Sequence, residues 1–300
     1  MKVLLVDGNS VGWAVWYALP LSVRESEDIG YVCGVWRHAF LVKLVKFVRK
    51  YGEGRALHTL IVWDGEGGVE ARRRLCESYK RKRRESRKQM VEREDINLRY
   101  FEALGEFISL LHQTSTGKKF LIRFNGLEAD DVVAGMCDVM SKKGISVFVY
   151  SSDTDLLQVL KFSGVRVFSP REDKEWTVNK VKRKYGVEPR HLWLYKAVVG
   201  DSADGWTGVR GVGEKRFRET VSRLGVKGAM LEWSGEEVDI GRKLCKLPAE
   251  WLLREAVGEE WRNVFLGELE RFLQVEVDPA ELALTLNLRR LSTAELQYLM

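Results

Sequence analysis

Three short apolar runs, Val3–Val6, Leu60–Trp63 and Val147–Tyr150, each lead into aspartate within three residues, at Asp7, Asp64 and Asp153. Runs this short and this continuous lack the alternation of a strand with one wet face, and they are too short for a buried helix. They predict strands covered on both sides, as in a parallel sheet. Between them the apolar spacing changes. Trp36, Phe40, Leu44 and Phe47 belong to an amphipathic segment ending near Gly52, and Val132, Val133, Met136, Cys137 and Met140 form a helical stripe that begins after Gly126 and stops at Gly144. Strand and helix in alternation imply an α/β domain with crossover connections. From about Thr177 the pattern turns helix-rich, around a Gly/Asp-rich stretch at Gly200–Gly213, with further helical patterns at Trp251–Val257 and Phe265–Leu273. The expected organisation is a catalytic α/β unit over 1–176 and a helical region over 177–300.

Charge is unevenly placed. From Arg72 to Lys88 there are ten Lys/Arg against two Glu, and from Lys161 to Lys227 sixteen basic residues against eight acidic ones, although the net charge of the chain is only +6. After Ala229 the balance turns acidic. One basic run is ordinarily a solvated helix face; two separate ones point to a long polyanion, nucleic acid, lying across both. No stretch approaches the roughly 18–20 uncharged apolar residues of a membrane span, and the opening run is too short for a secretory signal. The expectation is an intracellular, cytoplasmic protein, monomeric and without a membrane partner. Cys33, Cys76, Cys137 and Cys245 are far apart, with no CxxC pair and no neighbouring histidine, which fits reduced thiols and gives no zinc site.

The carboxylates carry most of the information. Asp7, Asp64 and the pair Asp153/Asp155 follow the C-terminal ends of predicted strands, the edge at which open parallel sheets bind ligands. Glu128, Asp130 and Asp131 open the helix after Gly126, and Asp201 and Asp204 lie one helical turn apart, in or beside the turn Gly200–Gly205. Singly, each acid has an ordinary explanation as a strand end or a helix cap. Together they repel, by roughly 3 kcal/mol per pair at 5 Å and an effective dielectric of 20, and such a cluster is tolerated where cations neutralise it. Oxygen ligands without histidine or cysteine suit Mg²⁺, with Mn²⁺ as a substitute, and more than four carboxylates suggest two ions, as in phosphodiester hydrolysis. On an ideal helix Glu128 and Asp130 border the apolar stripe while Asp131 points nearly away from it, so Asp131 ranks below them as a direct ligand. Asp153-Thr-Asp155 alone resembles the DxD of other enzymes, but the neighbouring acids fit a shared metal cluster better. No GxGxxG, GxxxxGK[ST], HExxH or GxSxG is present.

Two elements suit phosphate. Tyr79–Arg84 (YKRKRR) follows the second acidic strand end; if helical, Lys80, Arg83, Arg84 and Arg87 share a face and Tyr79 offers a ring for base stacking. Gly208-Val-Arg-Gly211-Val-Gly213 precedes a predicted helix Glu214–Leu224 and follows another at His191–Val199, the pattern of a helix–hairpin–helix clamp whose backbone N–H groups meet phosphate, with Lys215, Arg216 and Arg218 beside it.

In this order, DGN at Asp7, WDG with Asp64, YKRKR at Tyr79, GLEADD at Gly126, SSDTDLLQ at Ser151, GDSADG at Gly200 and GVRGVG at Gly208 resemble the 5′-nucleases. These are the phage and bacterial 5′→3′ exonucleases and flap endonucleases, including the N-terminal nuclease domain of bacterial DNA polymerase I. The resemblance covers roughly residues 1–225. It implies a PIN-like core with a mostly parallel sheet, a helical arch at about 79–115 and a helix–three-turn–helix module. It implies that Asp7, Asp64, Glu128, Asp130, Asp131, Asp153, Asp155, Asp201 and Asp204 bind metal. Lys80 and Arg83 would contact the scissile phosphate, and Gly208, Gly211 and Gly213 would bind backbone phosphate, with a K⁺ ion at that turn. The implied activity is Mg²⁺-dependent cleavage near 5′ ends, nicks or flaps of DNA, or of RNA primers. Trp63 stands where the family usually has Phe, and Arg216 where Thr is common. Two rivals are a non-catalytic, structure-specific DNA-binding protein on the same scaffold and a PIN-type ribonuclease.

Overall fold

All three predicted strands form. In the computed structural model, which describes residues 1–300 apart from 55, 93, 94, 115, 276, 277, 289, 290 and 300, they are β1 (Lys2–Asp7), β2 (His58–Val62) and β3 (Ser146–Tyr150). Two more, β4 (Val165–Ser169) and β5 (Lys174–Trp176), complete a sheet in the order β2-β1-β3-β4-β5. β1 to β4 run parallel and β5 closes the edge antiparallel. The expected α/β architecture with a mostly parallel sheet is therefore the observed one. β4 and β5 escape a search for continuous apolar runs because Arg166 interrupts β4 and pairs with Glu175 on β5 through two bonds of 2.8 and 2.9 Å.

The chain order of helices is α1 (Gly8–Ala18), α2 (Leu21–Arg24), α3 (Ile29–Tyr51), α4 (Glu70–Leu75), α5 (Arg81–Glu92), α6 (Leu98–His112) and α7 (Ala129–Lys142) before the middle of the sheet. After it come α8 (Val178–Tyr185), α9 (Leu192–Val199), α10 (Glu214–Glu232), α11 (Glu236–Cys245), α12 (Glu250–Val257), α13 (Trp261–Gln274), α14 (Pro279–Thr285) and α15 (Thr293–Leu296). The extent of α10 beyond Leu224 includes a break at Gly225, whose φ of 68° leaves the helical region. No helix is long and apolar enough to cross a membrane among the described residues.

Side chains of the central strands alternate between two cores, as the two-residue period of a strand requires. Val3, Leu5, Val147 and Val149 face a core built with α7, α9, α12 and α13, whereas Leu4, Val6, Phe148 and Tyr150 face one built with α1, α3, α6, α14 and α15. Both faces are dry, which is why the strands read as unbroken apolar runs. Each such side chain buried contributes about 1.5–3 kcal/mol. The helices after Thr177 pack on both faces, so they share these cores with the sheet rather than forming one of their own.

α5 differs from every other long helix. Arg81 to Gln89 are all exposed, and a helix polar all round gains nothing from a core. It is held at its middle and at its base: Arg87 lies 4.2 Å from the centre of the Phe101 ring on α6, and Ser78 Oγ, just before the helix, donates to Gly205 O at 2.9 Å. A Cβ at Gly205 would stand 2.2 Å from Ser78 O, so the approach of this base to the Gly200–Gly205 turn requires glycine. Residues 93, 94 and 115 of the expected arch lie outside the described residues.

Candidate metal and nucleic-acid site

The crossovers bring the acids to one edge. Asp7 ends β1 and caps α1, accepting from Ser10 N at 3.0 Å, while its other oxygen accepts from Ser151 Oγ at 2.6 Å. Asp64, just past β2, accepts from Ala129 N at 2.9 Å and so supplies the side-chain cap that Glu128, the N-cap residue of α7, does not. Asp153 Oδ1 accepts from Asp155 N at 2.8 Å, bending the chain after β3. These bonds fix carboxylates in place before any ligand arrives.

A cleft of about 500 Å³ collects Asp7, Asp64, Glu128, Asp130 and Asp153 opposite Lys80 and Arg83. Three overlapping carboxylate groups run through it and beyond: Glu128/Asp130/Asp131, Asp130/Asp153/Asp155 and Asp155/Asp201/Asp204, with oxygens in each group within 4.8 Å of one another. Asp130 and Asp155 are the links. Tyr17, Trp13 and Tyr100 form a continuous aromatic wall on one side, with ring centres 5.5 and 3.9 Å apart, and Phe101 meets Trp13 edge-on at 5.5 Å.

Cations already meet part of this charge. Lys80 Nζ contacts Glu128 Oε1, and Arg83 lies 2.8 Å from Asp204. Lys196 bridges Asp155 and Asp201, the latter at 2.9 Å. Burial pulls the Lys80 and Lys196 ammonium groups down, but Glu128 for the first and Asp155 for the second raise them above the usual lysine range. Glu128 is held low by Lys80 and Arg72 against the upward pull of burial. Three other acids of the cluster are pushed up. Burial, with Asp153 and Asp64 adding to it, pushes Asp7 up to about 7, and burial, only partly offset by Lys196, does the same for Asp155. Asp130 is raised by burial and by Asp131 and Glu128.

Asp7 and Asp155 thus bind more protons folded than unfolded between about pH 4, their ordinary range, and about pH 7. Their contribution to stability is present at the acid end of that window and is lost as pH rises through it. A divalent cation reverses the trend because it binds the ionised form. Without divalent ions the melting temperature is expected to fall from about pH 5 to about pH 8 through these groups, and the rise produced by Mg²⁺ is expected to grow over the same interval. A Mg²⁺-induced rise independent of pH would contradict this placement of the acids.

Several expected roles change in three dimensions. Tyr79 is not a stacking platform: its ring is 2% exposed, packed with Leu244 and Cys245, and its hydroxyl donates to Glu128 Oε2 at 2.8 Å. Lys80 does not share a helical face with Arg83, Arg84 and Arg87. It precedes α5 in the left-handed region, φ 52°, where its N–H donates to Asp204 O at 2.7 Å and its carbonyl accepts from Arg84 N. That backbone turn aims its side chain into the cleft. Arg84 remains on exposed α5. Asp131, ranked low as a ligand, gives both oxygens to Arg72 at 2.7 Å.

The structure adds residues that the sequence reading missed. Arg72, fully buried, also reaches Glu128 Oε2 at 3.1 Å and donates from Nε to Leu244 O at 3.2 Å. Burial pulls its guanidinium down, and Asp131 more than restores it. Nothing in Arg72-Arg73-Arg74 marks which arginine turns inward. Lys196 had a signal, as the lone charge in the apolar stretch Leu192–Val199. Ser151 gave none beyond its place between β3 and Asp153.

The hairpin forms as expected. α9 and α10 flank the turn, in which Gly208 and Gly211 have φ of 71° and 76°. A Cβ at Gly208 would stand 2.5 Å from Val198 O. Gly213 opens α10 with no side-chain cap, and Gly211, Gly213, Lys215 and Arg216 are exposed.

Residues 2–186 match the family of the 5′-3′ exonuclease, N-terminal resolvase-like domain. The chain is 29% identical to the 5′-3′ exonuclease of Aquifex aeolicus over 260 residues, 82% of each protein. It is 27% identical over 293 residues to DNA polymerase I of Caldicellulosiruptor bescii, matching 90% of this chain but only 32% of that polymerase. Among solved structures it is similar in fold to phage T5 5′-exonuclease with bound divalent metal ions (zinc), with a TM-score of 0.70 and 20% identity over 92% of this chain and 99% of that one. A T5 flap endonuclease in complex with DNA and metal ions gives a TM-score of 0.72 at 20% identity, over 91% and 100% of the two chains.

Proposed function

The chain belongs to the 5′-3′ exonuclease family, and from that premise we propose that it is a divalent-metal-dependent nuclease cleaving phosphodiester bonds of DNA near 5′ ends, nicks or flaps. The observation that carries the reading is the run of three linked carboxylate groups set against Lys80 and Arg83 in one cleft.

The donor set fits hard divalent cations. It is all oxygen, and Asp155 Oδ1 and Asp204 Oδ1 are buried without a hydrogen bond, each held only by ionic contact, with Lys196 and Arg83. Asp130, Asp153 and Asp155 would hold one Mg²⁺, and Asp155, Asp201 and Asp204 a second, with Asp7, Asp64 and Glu128 completing the acidic lining; Mn²⁺ would substitute. Bound there, the ions supply Lewis-acid polarisation of a phosphoryl oxygen and a more acidic water. Lys80 and Arg83 exchange their carboxylate partners for oxygens of the scissile phosphate and offset its growing charge. The rings of Tyr17 and Trp13, backed by the buried Tyr100, offer stacking faces for the adjacent base. Arg84 on α5 meets the backbone of the same strand. The hairpin, through Gly208, Gly211, Gly213, Lys215 and Arg216, grips duplex phosphate without reading sequence, with K⁺ at its turn.

The test is cleavage of 5′-flap, nicked and single-stranded DNA and of single-stranded RNA, with Mg²⁺, Mn²⁺ or EDTA. Flap or nicked DNA is expected to be cut only with a divalent ion. Inertness with every ion leaves a DNA-binding protein, and preference for RNA leaves a ribonuclease. Lys80→Ala is expected to lower kcat by about 10²–10³-fold; a change in KM alone would show that Lys80 binds substrate without assisting the chemistry.

A further inference from the structure

The basic surface around the hairpin continues onto α8. The last turn of this helix carries Lys182, Arg183 and Lys184 in succession, all exposed. None of the three makes an ion pair among the described residues. Neighbouring charges are already committed: Lys180 donates to Glu175 O at 2.5 Å, and Arg166 occupies both oxygens of Glu175.

The ordinary role of cations at a helix C-terminus is to offset the dipole and satisfy terminal carbonyls. Here that role is filled from outside. Arg218, on α10, donates to the carbonyls of Arg183 and Lys184. The three exposed cations, of which Lys182 faces Glu188, leave an excess of positive charge at this helix end that a polyanion would offset. Arg218 also fixes their position. It pairs with Glu214, the first residue of α10 after the hairpin turn, so the basic end of α8 abuts the helix that opens at Gly213. Beside it lies a groove of about 320 Å³ in which Lys174, Lys180, Arg183 and Lys184 stand against Glu172 and the neutralised Glu175. Lys184 Nζ rests 5.2 Å from the centre of the Trp176 ring and 5.1 Å from that of Tyr185, which limits its motion.

We propose that the C-terminal turn of α8 is a second contact for the duplex gripped by the hairpin, with Lys182, Arg183 and Lys184 meeting backbone phosphates beyond those at Gly208–Gly213. The inference rests on the hairpin reading above. Phosphate contacts carry no base information, so this surface lengthens the footprint without adding sequence preference. It adds salt dependence, because each neutralised phosphate releases counterions and steepens the slope of log K against log salt by about 0.9.

The experiment measures binding of the full chain to labelled duplex DNA by anisotropy in EDTA, where nothing is cut, over a range of salt. One duplex reaches only the hairpin; the other is about one helical turn, ~10 base pairs, longer. The variant Lys182→Ala/Arg183→Ala/Lys184→Ala is expected to bind the longer duplex at least about tenfold more weakly near 0.1 M salt, with a slope reduced by up to about three. Its binding to the shorter duplex should match the parent. Lys182→Arg/Lys184→Arg, which keeps the charge, should behave as the parent on both. A hairpin variant, Lys215→Ala/Arg216→Ala, should weaken both duplexes. If the α8 variant equals the parent on the longer duplex while the hairpin variant weakens both, the α8 contact is overturned and the hairpin reading stands. If neither variant weakens binding, both are overturned.

Discussion

Asp153→Asn combined with Asp155→Asn is expected to remove cleavage by at least about 10³-fold while the protein still binds a flap substrate in Ca²⁺. The two residues sit where the carboxylate groups overlap, Asp153 beside Asp130 and Asp155 shared with Asp201 and Asp204. Losing both charges removes carboxylates from two of the three groups, Asp130/Asp153/Asp155 and Asp155/Asp201/Asp204. The replacement is nearly isosteric. The side-chain amide that Asp153→Asn introduces keeps an oxygen for the bond from the backbone N–H of residue 155, and Lys196 keeps its 2.9 Å partner in Asp201. A second signature separates loss of chemistry from loss of fold. Without divalent ions the double variant should melt higher than the parent above about pH 7, because mutual repulsion of roughly 3 kcal/mol per pair is gone. Retained turnover in Mg²⁺ would discard the metal assignment, and a lower melting temperature would mean that these acids stabilise the fold.

Arg72→Met is expected to destabilise the protein by about 3–5 kcal/mol, read as the midpoint of denaturant unfolding. Asp131 is wholly buried and both of its oxygens depend on Arg72. Removing the guanidinium leaves that charge uncompensated and frees Leu244 O, whose bond from Arg72 ties α4 to α11. Arg72→Met/Asp131→Leu should recover much of the loss, since an apolar pair in a buried site is often neutral relative to a buried ion pair. Equal destabilisation by single and double variants would show that the pair does not act as a unit. The double variant also asks whether Asp131 is needed for catalysis, because its carboxylate is held by arginine in this structure.

How much was legible in the sequence differs by kind of feature. Strand positions, the helices after Gly126 and around Trp36, and the Gly208–Gly213 turn followed from local period and glycine placement, and all are present. The acids at strand ends were legible for a related reason: in a parallel sheet every strand of the same direction delivers its C-terminal residue to one edge. Asp7, Asp64 and Asp153 therefore meet although they lie far apart in the chain. The bordering arch residues were legible as a basic run but not as individuals. Tyr79 turned inward to Glu128, Lys80 left the helix, and Arg72 became part of the acidic site.

The amino-acid order by itself thus determined the elements, the edge to which the carboxylates come, and the excess of negative charge that asks for cations. These follow from periodicities a few residues long. Only the tertiary structure decided which cation answers which anion. The carbonyl of Leu244 completes Arg72, and Asp204 orients both Lys80 and Arg83 from over a hundred residues away. Among neighbouring like charges, burial selects one by the shape and polarity of a surface brought from elsewhere in the chain, and no local pattern encodes that surface.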